Sequence, residues 1–180
     1  MKPTKRSLGV YLDFPSTYNA SMLLELNAPV DEAQRALLNF LHNINGRSVG
    51  GWLLNHVGQN VSVMLEFGVA EGLAFNYINE EILNLLLSEI NKRIFQILDF
   101  FCVIRYYALK NNGTRRALRF DYYFLRVIFS RSELEVKVSH ERGLGRISAE
   151  DLLKFILEGL SSEIAKKGFN MPKIRRLWLP

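Results

Sequence analysis

Asn79–Gly113 reads NEEILNLLLSEINKRIFQILDFFCVIRYYALKNNG, and the fold turns on how this stretch divides. Asn79 stands at a cap position, Glu80 and Glu81 follow where acids oppose the helix dipole, and Asn111-Asn112-Gly113 closes the stretch. Leu83, Leu87, Ile90, Ile94, Ile97, Phe101, Ile104 and Ala108 recur at alternating steps of four and three, the period of an amphipathic helix. Glu81, Asn84, Ser88, Asn91, Lys92 and Asp99 fall on the opposite side. Read as a strand, 97–109 shows no alternation. The periodicity therefore predicts one long helix from about 79 to 110, with a kink expected in its aromatic-rich second half. The competing division ends the helix near Leu98 and starts a strand, because FFCVIRYY has high strand propensity. A helix of the full length exceeds the usual globular size, so part of it is expected to pack against a second copy of the chain.

Upstream, Leu8, Val10, Leu12 and Phe14 alternate through Ser7–Phe14, a strand that Pro15 ends, and Ser21–Asn27 reads as a second short strand. Asp31 with Gln34 three residues on forms a capping-box pattern. Ala33, Leu37, Phe40, Leu41 and Ile44 then recur at helical spacing before Gly46. Ser48–His56 is ambiguous, with WLLNHV a candidate strand. Val61, Val63, Leu65, Phe67 and Val69 alternate through Asn60–Ala70, and Leu73, Phe75 and Tyr77 return after the turn at Glu71-Gly72. Downstream, Leu118–Ser130 and Glu133–Glu141 form a hairpin. The last helix is capped by Ser148, carries Glu150 and Asp151 in its first turn and Lys166 and Lys167 in its last, and closes at Gly168.

This layout predicts an α+β fold: a largely antiparallel sheet of about five to seven strands with three helices gathered on one face, the middle helix unusually long. One domain is expected over 1–170, followed by a basic, apolar tail at 171–180. From the first helix onward the element order resembles that of type III secretion chaperone-like proteins, which are α+β binding folds. The resemblance is one of architecture alone.

Composition bounds the function classes. The chain has 180 residues, 48% of them hydrophobic and 23% charged, as expected for a folded domain with a sizeable core. No apolar run reaches the length of a membrane-spanning helix, and no secretion signal is expected. The single cysteine, Cys102, precludes an internal disulfide and suits a reducing, cytoplasmic setting. His42, His56 and His140 are isolated from other ligand types, so neither a metal nor a cofactor is expected. GRSVGG at 46–51 lacks the Lys-Ser/Thr ending of a phosphate loop. GLGR at 143–146 precedes a helix, where an anion could sit, although a plain loop reads better. Cys102, flanked by Phe100, Phe101, Val103 and Ile104, reads as core and not as a nucleophile.

Charge is the remaining signal. The net charge of +5 is concentrated in 105–126 and 164–180, each of which carries +5 on an otherwise acidic body. In RYYALKNNGTRRALRFDYYFLR (Arg105–Arg126), both faces of the strand portion are apolar beyond residue 122. This predicts a central strand covered on both sides, with most of its aromatics in the core. Lys110, Arg115, Arg116 and Arg119 remain as the candidate polyanion contact. In the tail, Lys173, Arg175, Arg176, Leu177 and Trp178 either pack back on the domain or dock a partner. The expected function is a non-enzymatic protein-interaction or adaptor module, homodimeric and without membrane insertion. The alternative is a nucleic-acid-binding accessory protein using the 110–119 loop and the tail. A further alternative is an enzyme whose site assembles only in three dimensions.

Overall fold

The computed structural model of the chain describes residues 7–180. Its strands are β1 (Ala20–Glu25), β2 (Arg47–Val49), β3 (Val61–Glu71), β4 (Ala74–Tyr77), β5 (Ile97–Leu109), β6 (Arg115–Ala117), β7 (Asp121–Phe129), β8 (Glu133–Arg142) and β9 (Lys173–Trp178). The helices are α1 (Val30–Ile44), α2 (Glu80–Lys92) and α3 (Ala149–Lys166), with a 3-10 turn at Gly51–His56. All nine strands join one sheet in the order β2-β3-β5-β7-β8-β1-β9, with β4 beside β3 and β6 beside β5. Every pairing between named strands is antiparallel. The α+β class and the antiparallel sheet agree with the sequence reading; the sheet is larger than expected, and the 3-10 turn adds a fourth helical element.

The long helix does not form, and the competing division is the one adopted. Asn79 caps α2 by accepting the Ile82 N–H at 2.9 Å. The helix stops at Lys92, where Arg93 turns extended, and β5 begins at Ile97. Leu98, Phe100, Cys102, Ile104 and Tyr106 alternate into the core, each no more than 1% exposed. Between them, Phe101 and Val103 keep the second face apolar, and the two faces together mimic a helical period. Gln34 on α1 fixes the changeover: its buried amide donates to the Phe95 carbonyl at 2.6 Å and accepts the Phe95 N–H at 3.1 Å. That bidentate grip satisfies the linker backbone as a neighbouring strand would. Without the long helix, the sequence argument for packing against a second copy loses its basis.

Three other boundaries differ. Helix α1 starts at Val30 after Pro29, with Asp31 in its first turn instead of at the cap. The 47–56 region forms the short β2 and the 3-10 turn, so WLLNHV is not a strand. Residues 7–14 make only isolated bridges, Leu8 to Glu71 and Tyr11 to Gly72. They begin a strap that crosses the sheet on the face opposite the helices. Tyr11 stacks on Phe124 (5.3 Å between centroids) and meets Phe75 (4.8 Å). Below it, the fully buried Asp99 accepts the Tyr11 N–H at 2.8 Å and two hydrogen bonds from the Arg126 guanidinium, also at 2.8 Å. Phe14 covers Arg126 at 4.3 Å. Beyond the strap, that face carries no helix.

On the helical side, α1 crosses α3 where Gly159 lies against Phe40. A Cβ at Gly159 would come within 2.1 Å of the Phe40 ring, so the missing side chain sets the helix separation. One continuous core joins these helices to β1, β3, β5, β7 and β8.

Candidate nucleic-acid interface

Strand β5 runs past the body of the sheet into a hairpin with β6. The turn is tied internally: the Thr114 N–H and hydroxyl both donate to the Asn112 side-chain oxygen, at 3.1 and 2.6 Å. The Lys110 N–H donates to the Thr114 carbonyl at 2.8 Å, and Gly113 takes the positive φ of +80° that the turn needs. Arg115 and Arg116 pair with Leu109 and Ala108, so their backbone is held while their side chains stay exposed. Lys110 and Arg119 are exposed on either side. None of these four cations has an acidic partner among the described residues. They are thus brought together on one structured projection.

The sequence reading missed a fifth cation. A bulge between Tyr122 and Tyr123 sets Arg142 of β8 opposite Tyr122, with its guanidinium 4.4 Å from the ring centroid. Only the pairing register reveals this neighbour. Arg105 and Arg126, the other two basic residues of the stretch, are engaged: Arg105 pairs with Glu66 and lies 5.2 Å over Phe120, and Arg126 serves Asp99.

The aromatics divide differently from the expectation. Tyr123 and Phe124 are buried, as expected, and so is Tyr106, which the helix reading puts nearer the wet side in place of Tyr107. Tyr107, Phe120 and Tyr122 are only half-buried, because no helix covers their side of the sheet. Tyr107 meets Phe120 edge-on at 5.8 Å, and Tyr122 stacks with Phe101 at 5.9 Å. A ribbon of ring faces and guanidinium groups therefore lies on the open face beside the hairpin, where Arg115, opposite Leu109, shares that face and Arg116, opposite Ala108, points to the other.

A buried anion of the chain itself supports this end of the sheet. Asp121 is fully buried and accepts the Tyr106 hydroxyl (2.6 Å) and the N–H groups of Gly145 (2.6 Å) and Arg146 (2.9 Å). The Ile147 N–H donates to the Tyr106 oxygen, and the Tyr123 hydroxyl donates to the Ile147 carbonyl. Burial, reinforced by the Asp121 charge, pushes both phenols well above the usual tyrosine range. Gly143 has φ +110°, and a Cβ there would fall 2.2 Å from Asp121 Oδ1. The GLGR loop thus wraps an internal carboxylate, which takes up the amides that an external anion would need.

The tail packs back on the domain. Leu177 pairs opposite Met22 and is partly buried; Arg175 is held by Glu25 at 3.0 Å. Trp178 pairs opposite Ser21, and its ring meets Tyr18 edge-on at 5.0 Å. Lys173 and Arg176 stay exposed. Strand β9 is four strands from β5, about 19 Å across the sheet, and Trp178 lies in the register row of Asp99, ten residues back along β5 from Leu109, so the two basic patches share one sheet but stand well apart.

Two clefts lie elsewhere. One of about 430 Å³ opens between α1, β2 and α3 around Phe40, Arg47 and Phe155. The other, of about 520 Å³, lies between Leu8, Arg93 and Ile97. His56 sits 3.5 Å from Asp151, and no group of three or more metal-ligating side chains gathers among the described residues. No helix of the described chain is long and apolar enough to cross a membrane. No family model, curated protein or solved structure matches the chain.

Proposed function

We propose that the protein is a non-catalytic binding module for single-stranded nucleic acid, received at the β5–β6 end of the open sheet face. The observation that carries this reading is the gathering at this end of the sheet of five cations with no acidic partner among the described residues (Lys110, Arg115, Arg116, Arg119 and Arg142) near the half-exposed rings of Tyr107, Phe120 and Tyr122. Cations release counterions from phosphates, and flat rings accept unstacked bases of any identity. A duplex offers the phosphates but hides the base faces, so single strands are favoured. Fluorescence anisotropy with a labelled 15-mer oligothymidylate tests this. Binding that weakens steeply with salt and exceeds that of a duplex of equal length supports the reading. No binding at low salt ends it.

A protein-interaction module is the second reading. It is favoured by β9, which pairs only with β1 among the described strands and leaves its outer edge open beside the exposed Ile174 and Trp178. Light scattering tests the homodimer that belongs to this reading: a monomeric mass at high concentration rejects self-association.

A further inference from the structure

The open face is divided by charge as well as by the strap. On the side of the strap away from the β5–β6 hairpin, β1 and β8 present Glu25, Glu133 and Glu135, with Glu25 directly opposite Glu133. Arg175 holds Glu25 and the Lys137 ammonium lies 3.9 Å from Glu135, so these acids are partly neutralised, and the aromatic row along the strap is what offers a strand leaving the hairpin a further contact. In that direction the pairing register places Arg126, Lys137, Ser21 and Trp178 in one row across β7, β8, β1 and β9. Arg126 is covered by Phe14, but the far end of the row is not covered. Trp178 is 42% exposed and meets Tyr18 at an interplanar angle of 68°. The Lys137 ammonium lies 5.1 Å from the Tyr18 centroid, and Arg176 stands opposite Leu23 on the same face.

We infer that Tyr18 and Trp178, with Lys137 and Arg176, form a second contact for the same nucleic-acid strand, three strands away from Tyr122 across the sheet. The inference rests on the proposed function. At about 4.8 Å per strand the lateral separation is about 14 Å, and the four residues from Tyr122 to the Arg126 row add about 13 Å along β7, a distance of roughly 20 Å that a strand within the site size of about 4–16 nucleotides can bridge. The four residues supply what the first contact supplies, cations beside an accessible ring. The C-terminal strand becomes part of the binding surface, with Trp178 as a base platform.

The chain's two tryptophans make the test direct. Trp52 donates to Glu158 of α3 at 2.7 Å, on the helical side, so W52F leaves Trp178 as the only indole emitter. Anisotropy of labelled 5-mer and 15-mer oligothymidylates is read alongside tryptophan emission. The 15-mer should quench Trp178 strongly and the 5-mer, held at the hairpin end, should quench it little. W178A should weaken the 15-mer by about tenfold and leave the 5-mer unchanged, W178F should restore most of the loss, and Y18A should reproduce it if W178A loosens β9. Binding of both oligomers without quenching, or equal quenching by both lengths, overturns the inferred second contact while the first stands. Absence of binding by either oligomer overturns the proposed function itself, and this inference with it.

Discussion

Replacing Arg115, Arg116 and Arg119 together by Gln removes three of the five unpaired cations at the hairpin end. It retains the aliphatic stems and the backbone pairing of β6 with β5. For a single strand, the slope of log affinity against log salt is about −0.7 per phosphate neutralised, so five contacts give about −3.5 and the two that remain give about −1.4. Between 50 and 200 mM salt the unmodified protein should lose roughly a hundredfold in affinity, and the triple variant only about sevenfold. Anisotropy titration at four salt concentrations measures both slopes. Circular dichroism checks that the exposed substitutions leave the fold intact. A control variant, Arg47→Gln with Lys154→Gln and Lys166→Gln, removes the same charge from helix-side positions outside the hairpin. It should leave the slope near its original value. Equal slopes for the unmodified protein and the hairpin variant, or equal losses in the hairpin and control variants, would refute the assignment of phosphate contacts to this end of the sheet.

Asp99→Asn leaves the Arg126 guanidinium without its counter-charge under the strap. The carboxylate is fully buried, but Arg126 keeps 24% of its surface in water, so the cost should lie near the lower end of the range for a broken buried pair, about 3 kcal/mol by urea unfolding. A loss under 1 kcal/mol would mean that the clasp does not hold the strap. Gly159→Ala sets two effects against each other: a helix-propensity gain of about 1 kcal/mol and an overpacking cost of about 1–3 kcal/mol against Phe40. Because the contact is with a ring wedged beside Phe155, destabilisation should win. Phe40→Leu in the same chain should recover part of the loss, and a stabilised single variant would contradict the close approach. Burial pushes the Cys102 thiol well up, so it should resist a thiol reagent at pH 8 in the folded protein and react fully in urea. The same burial makes stability fall as pH rises. The raised thiol, and the raised phenols of Tyr106 and Tyr123, keep protons in the folded state that the unfolded chain releases above about pH 8.5 and about pH 10. Thermal melts should show full stability below pH 8 and a progressive decline above it. Melting temperatures that stay level to pH 11 would count against this burial.

The alternating strands were legible because one of their faces is wet: β3 and β8 followed the pattern closely. Helix α3 was legible through Ser148, whose hydroxyl accepts the Asp151 N–H at 3.1 Å. Strand β5 was misread because its two faces meet different apolar layers, the helices on one side and the aromatic ribbon with the strap on the other. A residue buried on both sides carries no period. What divided helix from strand was a distant side chain, Gln34, gripping Phe95. The candidate site was half legible for a related reason. Lys110, Arg115, Arg116 and Arg119 lie in one short stretch, whereas Arg142 joins them only through a bulge in the β7–β8 register. The exposure of Tyr107, Phe120 and Tyr122 depends on which face the helices leave bare, a property of the assembled sheet.

The place of β1 between β8 and β9 has a consequence for the order of assembly. Ser21 meets Lys137 on one side and Trp178 on the other, so an early segment of the chain is flanked by two late ones. The β7–β8 hairpin can close across Arg131-Ser132 with little loss of chain entropy, and β5 reaches β7 through the β6 turn. No such shortcut exists for β1. It adds to a platform that already contains β8, and β9 then covers its other side. Contact order makes the acquisition of β1 and β9 the expected slow step of folding. On that expectation the residues that lay Trp178 on the open face arrive last, and the proposed surface is whole only once β9 has paired with β1.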